Sequence, residues 1–246
     1  MEEQVNVQLN EEANNYKQYI LAYRNGEIRV GELENWIDKI EKKETPKEEK
    51  ESLKQQVAEF VYNRLYERYI DPFLILSKIN YDEDLKKKVE KEFNIPEAGI
   101  SNFNLRLGFS IMANMCLLIE TLQAFYDGED GYFSKDAQVQ DKDALSKAFK
   151  TFLTTHINKA HITEKEAIEF YKNIRNGILH QGETKKGWRI NNGDKAIDVN
   201  AKLIDAKKFL KVMLEALKTY TDELKNDEEL MKKCIKKLNA IIDNCK

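Results

Sequence analysis

Apolar residues recur at three- and four-residue intervals along most of this chain, and that spacing predicts a protein built of helices. Within "ETPKEEKESLKQQVAEFVYNRLYERYI", Val57, Phe60, Val61, Leu65 and Tyr69 fall on one face. The pattern predicts a helix starting after Thr45, with Pro46 at its first position. Asp71-Pro72 is expected to break it. Residues 11–44 read as two helices joined by a turn at "RNGE", Arg24 to Glu27. Trp36, Ile37 and Ile40 give the second of these an apolar face. Shorter helices are expected over "FLILSKI" and "DEDLKKKVEKEF". In "NIPEAGISN", residues 94–102, proline and glycine interrupt any helical period, which predicts a linker. The chain therefore divides into a helical extension over residues 1–100, a helical core over 101–225 and a C-terminal helix over 226–246.

The strongest helical pattern is "LGFSIMANMCLLIETLQAFYDG". Ile111, Met115, Leu118 and Leu122 form its stripe, and Gly128 suits its C-terminal end. Glu120 falls about 180° from that stripe at 100° per residue, so it is expected to face water or a partner. "DALSKAFKTFLTTHIN" predicts a second amphipathic helix. A third opens with the capping-box pattern Thr163-Glu164-Lys165-Glu166 and buries Ala167, Tyr171, Ile174 and Ile178. Gly182 should end it. The period then changes. "GWRINNGDKAIDVN" alternates like a short β-hairpin or an extended loop. A fourth long helix follows from Asp205 to Leu224, carrying Phe209, Leu210, Met213, Leu217 and Tyr220. The last helix carries Leu230, Ile235, Leu238 and Ile242.

Composition supports an all-α protein. Hydrophobic residues make up 41% of 246, charged residues 34%, and there are only 10 glycines and 3 prolines. No uninterrupted apolar run reaches the roughly 18 residues of a membrane span, so no membrane partner is expected. Cys116, Cys234 and Cys245 have neither disulfide-framework nor zinc spacing, which suits a reducing, cytoplasmic setting. The formal net charge of −3 conceals an asymmetry. Residues 1–100 hold 16 Lys and Arg against 22 Asp and Glu, whereas residues 141–220 hold 16 against 10. That basic excess suits either a solvated lysine-rich face or a nucleic-acid surface.

The basic region contains "IRNGILHQG", residues 174–182. With Ala167 at zero on a helical wheel, Asn176 lies near 180° and His180 near 220°, opposite the buried stripe. Arg175 lies near 80°, at the stripe's edge, with a side chain long enough to swing outward. Gly177 leaves room for a backbone or ligand to come close. Imidazole takes and gives protons near neutrality, and a guanidinium holds phosphate and stabilises charge building on phosphorus. Histidine and arginine therefore suffice for attack of a ribose 2′-hydroxyl on its own phosphodiester, with no metal or other cofactor. The same residues also suit an ordinary helix end, where Asn and basic side chains satisfy terminal carbonyls. His156 and His161 flank a turn at "INKAH" and read as surface or cap residues. P-loop, dinucleotide, zincin and Cys-x-x-Cys motifs are absent.

Arg175-Asn176-x-x-x-His180 resembles the R-x4–6-H motif of the HEPN superfamily. The surrounding order is similar too: a strong helix ending "LIETLQAFYDG", a second helix, the motif helix, then a long helix ending at Tyr220, over residues 103–224. The resemblance implies a helical bundle and a metal-independent endoribonuclease of the phage-defence or toxin–antitoxin kind. It also implies a homodimer in which two motifs form one composite site on RNA, and a possible antitoxin or defence partner. In that frame Arg175 stabilises phosphate charge, His180 is acid or base, and Asn176 orients the phosphate or the histidine. Glu120 resembles a supporting acidic position. The tyrosine that members paired with a nucleotidyltransferase carry two residues after the histidine is replaced here by Gly182, so adenylylation there is not expected. A non-catalytic HEPN-fold module binding RNA or protein, or a helical adaptor whose motif face is a dimer contact, remains open at this point.

Overall fold

The computed structural model describes residues 15–79, 83–92, 103–131, 143–157 and 162–246. The protein is mostly helical, with short strands only. After a short helical turn come β1 (Ile20–Ala22), β2 (Ile28–Arg29), α1 (Val30–Glu41), α2 (Lys47–Leu65), α3 (Asp71–Ile79), α4 (Glu83–Glu92) and α5 (Phe103–Asp127). Then follow α6 (Ala144–Thr151), α7 (Glu164–Phe170), α8 (Asn176–Gln181), β3 (Arg189–Ile190), β4 (Ile197–Asp198), β5 (Leu203–Ile204), α9 (Ala206–Leu224) and α10 (Glu228–Asp243). The expected linker at residues 94–102 lies outside the described residues. Two compact units emerge, and neither is contiguous in sequence. One comprises residues up to Glu67 with Ala124–Gly131 and Leu217–Lys246; the other comprises Arg68–Gln123 and Tyr132–Ala216.

In the first unit the expected helix before residue 24 is instead the strand of a hairpin. Ile20 pairs with Arg29 across the "RNGE" turn, where Asn25 and Gly26 take positive φ. The stretch is too short for a stable helix, and Tyr19-Ile20-Leu21 suits a strand. Glu67 accepts the Tyr23 and Arg24 backbone N–H groups at 2.9 and 3.0 Å, fixing the hairpin to the chain that follows α2. Pro46 is the residue before α2 rather than its first member. Val30, Leu33 and Ile37 of α1 are fully or nearly fully buried, as are Val57, Phe60 and Val61 of α2. Tyr126 meets the Tyr220 ring edge-on at 4.7 Å and donates to Glu223 at 3.2 Å. Asp227 caps α10 by accepting from the Glu229 and Leu230 N–H groups, both at 2.9 Å.

Asp71-Pro72 does not break the helix. Instead Tyr66–Ile70 forms a π turn and the helix resumes at Asp71. The wide turn moves carbonyls out of α register, which lets proline fall in the first turn of α3, where its missing N–H costs little.

In the second unit, Ile111, Met112, Met115, Leu118, Ile119 and Leu122 of α5 are buried. Phe170 of α7 stands between Phe149 at 6.4 Å and Phe209 at 5.6 Å. The expected hairpin after the motif helix is replaced by a three-stranded sheet in the order β3-β5-β4, with β3 parallel to β5. The wholly apolar pair Leu203-Ile204 takes the centre, and Ile204 is fully buried. The half-polar pairs Arg189-Ile190 and Ile197-Asp198 take the edges, where one side of each strand meets water. Leu107–Asp127 is long and apolar enough to cross a membrane by length and composition alone, and half of its most apolar window is buried inside the protein.

Candidate functional site

The motif helix begins as its sequence predicts. Thr163 N–H donates to Glu166 at 2.7 Å, and Glu166 N–H donates to the Thr163 hydroxyl at 3.3 Å. The Thr163 backbone N–H most of all, and the Thr163 hydroxyl donating to the same carboxylate oxygen at 2.8 Å, hold the Glu166 carboxyl below the usual carboxylate range. The helix ends at Gly182, whose φ of 66° closes the last turn through its N–H to Ile178 at 3.0 Å. Between those ends lies a feature with no sequence signature: Tyr171–Arg175 forms a π turn. Such a turn acts as a one-residue insertion and rotates the remainder of the helix by about 100°. Arg175 thereby moves from the stripe's edge into the interior, and it is only 7% exposed. The outward swing expected of this side chain is not what the structure shows.

Four of the expected residues come together. Arg175 Nε donates to Glu120 Oε1 at 2.9 Å. Its Nη1 donates to Asn176 Oδ1 at 3.1 Å and lies 3.5 Å from His180 Nε2. Glu120 therefore faces Arg175, not water, correcting the wheel-based expectation. Two residues join them that the sequence pattern did not place here. Tyr171, expected purely as core, sets its ring 5.8 Å from the guanidinium carbon, within cation–π range. Cys116, one turn before Glu120, is fully buried; burial first and Glu120 second push its thiol up, while Arg175 opposes them. Asn176 is half-buried and His180 is exposed. The cluster thus runs from a closed interior at Cys116 to open solvent at the imidazole.

No family model matches this chain, and no curated protein or solved structure matches it. The site must be read from its own geometry.

Gly177 is buried under the chain's own return loop. A Cβ there would sit 2.5 Å from the Glu183 carbonyl oxygen and 3.2 Å from Thr184 Cα. The close approach expected at this glycine is therefore made by the segment after Gly182. Lys185 N–H donates to Asn173 O at 2.9 Å and fastens that loop to the helix. Thr184 donates to Trp188 O at 2.5 Å and tightens it further. His156 packs its ring 5.6 Å from Phe152, while His161 lies outside the described residues. Among the described residues no group of three His, Cys, Asp or Glu side chains is arranged to hold a metal ion.

The arrangement has a definite chemical capacity. A guanidinium fixed through Nε and Nη1 keeps its plane in one orientation, and among the described residues Nη2 makes no hydrogen bond. Arg175 can only donate, so a neutral imidazole that takes this bond accepts at Nε2 and has its proton on Nδ1. A cation of fixed direction beside an exposed acid–base group is what a phosphoryl centre needs.

Proposed function

We propose that this chain is an endoribonuclease that needs no metal, acting through Arg175, Asn176 and His180. One observation carries the proposal: Arg175 reaches both Asn176, at 3.1 Å, and the exposed His180, at 3.5 Å. In the proposed reaction a phosphodiester oxygen replaces His180 Nε2 as acceptor of the second Arg175 Nη1–H, while the first stays on Asn176. The freed Nε2 takes the proton of the neighbouring 2′-hydroxyl. The 2′-oxygen bonds to phosphorus, and the bond to the 5′-oxygen breaks. Arg175 stabilises the charge that gathers on the non-bridging oxygens, and Asn176 holds the guanidinium in place. The departing 5′-oxygen requires a proton. A second copy of His180 supplies it in a homodimer, as the resemblance to the HEPN superfamily implies. The products are a 2′,3′-cyclic phosphate and a 5′-hydroxyl end. A setting in phage defence or growth control belongs to the same proposal.

A second reading has its own observation. Arg175 is buried and already paired with Glu120, as in a residue that only stabilises the bundle or a non-catalytic binding module. Incubating the protein with RNA in EDTA separates the two. The ribonuclease reading expects cyclic-phosphate products that vanish in His180→Ala while the fold and oligomeric state persist. Equal cleavage by the variant, or no cleavage by the parent, overturns it.

A further inference from the structure

The return loop that covers Gly177 leads straight into a cluster of cations. Gly177 and His180 are three residues apart and share a face of the motif helix. The segment from Glu183 to Lys185 runs back along the helix, with Glu183 over Gly177 and Lys185 bonded to Asn173, so Lys186 begins about two turns before His180. Arg189 of β3, Lys186 in the turn before it and Lys202 just before β5 follow, all exposed. Backbone and side-chain bonds hold them together. Arg189 N–H donates to Lys202 O at 2.9 Å, as β3 pairs with β5. Lys202 Nζ donates to Lys186 O at 2.9 Å, and Arg189 Nη2 to Ala201 O at 3.4 Å. None of the three forms an ion pair with a carboxylate among the described residues. Of the acids nearby in sequence, Asp194 is exposed, and Asp198 and Asp205 are engaged by backbone. Asp198 accepts from Ala201 N–H at 2.9 Å, and buried Asp205 accepts from Gly193, Lys207 and Lys208 N–H groups at 3.0–3.2 Å.

Three exposed cations without a carboxylate partner among the described residues, held together by the β3–β5 pairing and by their bonds to backbone, form a track for a polyanion. From this we infer that Lys186, Arg189 and Lys202 together bind successive phosphates of a single RNA strand. This rests on the ribonuclease reading for the identity of the strand, but its test reads binding, not cleavage. The contacts available are to phosphate, so they position the strand without selecting bases.

The test uses full-length His180→Ala protein and a fluorescein-labelled single-stranded RNA, titrated by anisotropy across a salt series. Removing three phosphate contacts from a single strand lowers the slope of log affinity against log salt by about 2, at about 0.7 per contact. The triple variant Lys186→Ala, Arg189→Ala, Lys202→Ala is therefore expected to lose about 2 in slope and about fiftyfold in affinity at physiological salt of about 0.15 M. A second triple variant, Lys232→Ala, Lys233→Ala, Lys236→Ala on α10, removes the same charge elsewhere and is expected to leave the slope unchanged. Because Lys202 and Arg189 also bond backbone, three single Gln variants with unaltered circular dichroism are run beside the triple; each should lose about 0.7 in slope. An unchanged slope in the sheet variants overturns the inference. So does an equal loss in the α10 variant, or anionic lipid vesicles that bind as tightly and with the same dependence on the three residues. Salt-sensitive binding lost in the sheet variants, with no cleavage by the parent protein, sustains this inference and removes the ribonuclease reading. Cleavage with unchanged sheet-variant binding does the reverse.

Discussion

Gly177→Ala sets two physical effects against each other, and the structure decides the sign. Gly177 lies inside α8, where alanine is favoured over glycine by about 1 kcal/mol on helix propensity alone. Propensity therefore expects a more stable protein. The added methyl, however, would sit 2.5 Å from the Glu183 carbonyl oxygen and 3.2 Å from Thr184 Cα. Both are backbone atoms, so no side chain can rotate out of the way. Overpacking of this kind costs about 1–3 kcal/mol. Pushing the loop off also strains the Lys185 N–H to Asn173 O bond, worth about 1 kcal/mol. The balance is a loss of about 2 kcal/mol. For a chain of this size that lowers Tm by roughly 4–8 °C. Urea denaturation at 25 °C gives the free energy, and a thermal melt by circular dichroism gives Tm. A Gly177→Ala protein as stable as the parent, or more so, refutes the argument that the return loop is seated on this residue.

Two further outcomes follow from the local chemistry. Thr163→Ala should cost about 1 kcal/mol at neutral pH by removing the cap on α7. Because Glu166 has a lowered folded-state pKa, its share of that stability is present above the ordinary glutamate value of about 4.3 and fades as pH falls through the folded value. The gap between parent and variant in urea midpoint should accordingly be smaller at pH 3 than at pH 7, and a gap that widens in acid contradicts the capping box. Thiol titration with a disulfide reagent at pH 8 should modify Cys245 well before Cys116 and Cys234. Burial raises both of the latter, Cys234 to about 12, and they react only after unfolding. Three thiols reacting at one rate in the folded protein would exclude that packing.

What could be read from the sequence was set by how local the cause was. The capping box at Thr163, the stop at Gly182 and the stripe of α5 each depend on residues within a turn or two, and each is in place. The strand Leu203–Ile204 was not legible, because its role depends on two partners elsewhere in the chain. The π turns escaped for a different reason: a wheel drawn at a constant 100° per residue cannot register an inserted one. Glu120 was misdirected by the same tool, which describes one helix against one surface. A signal was available, though. Glu120 is the sole charged residue between Arg106 and Asp127, and a lone carboxylate in an apolar helix calls for a cation. The gathering of Arg175, Asn176 and His180 was expected from their spacing, yet the burial of Arg175 was not.

The π turn at Tyr171–Arg175 bears on how this chain can change over evolutionary time. Length variation of one residue inside a helix is usually counted as a minor event in comparing related sequences. At this place it would be a rotation by about 100°. Losing one residue there would leave the Arg-to-His spacing intact and every motif letter present, yet turn Arg175 away from Glu120. A search by motif would accept such a relative without noticing the change. Lineages that keep the Arg175–Glu120 pair should therefore show constant length between Thr163 and Arg175, and those that lose the acid should be free to vary it.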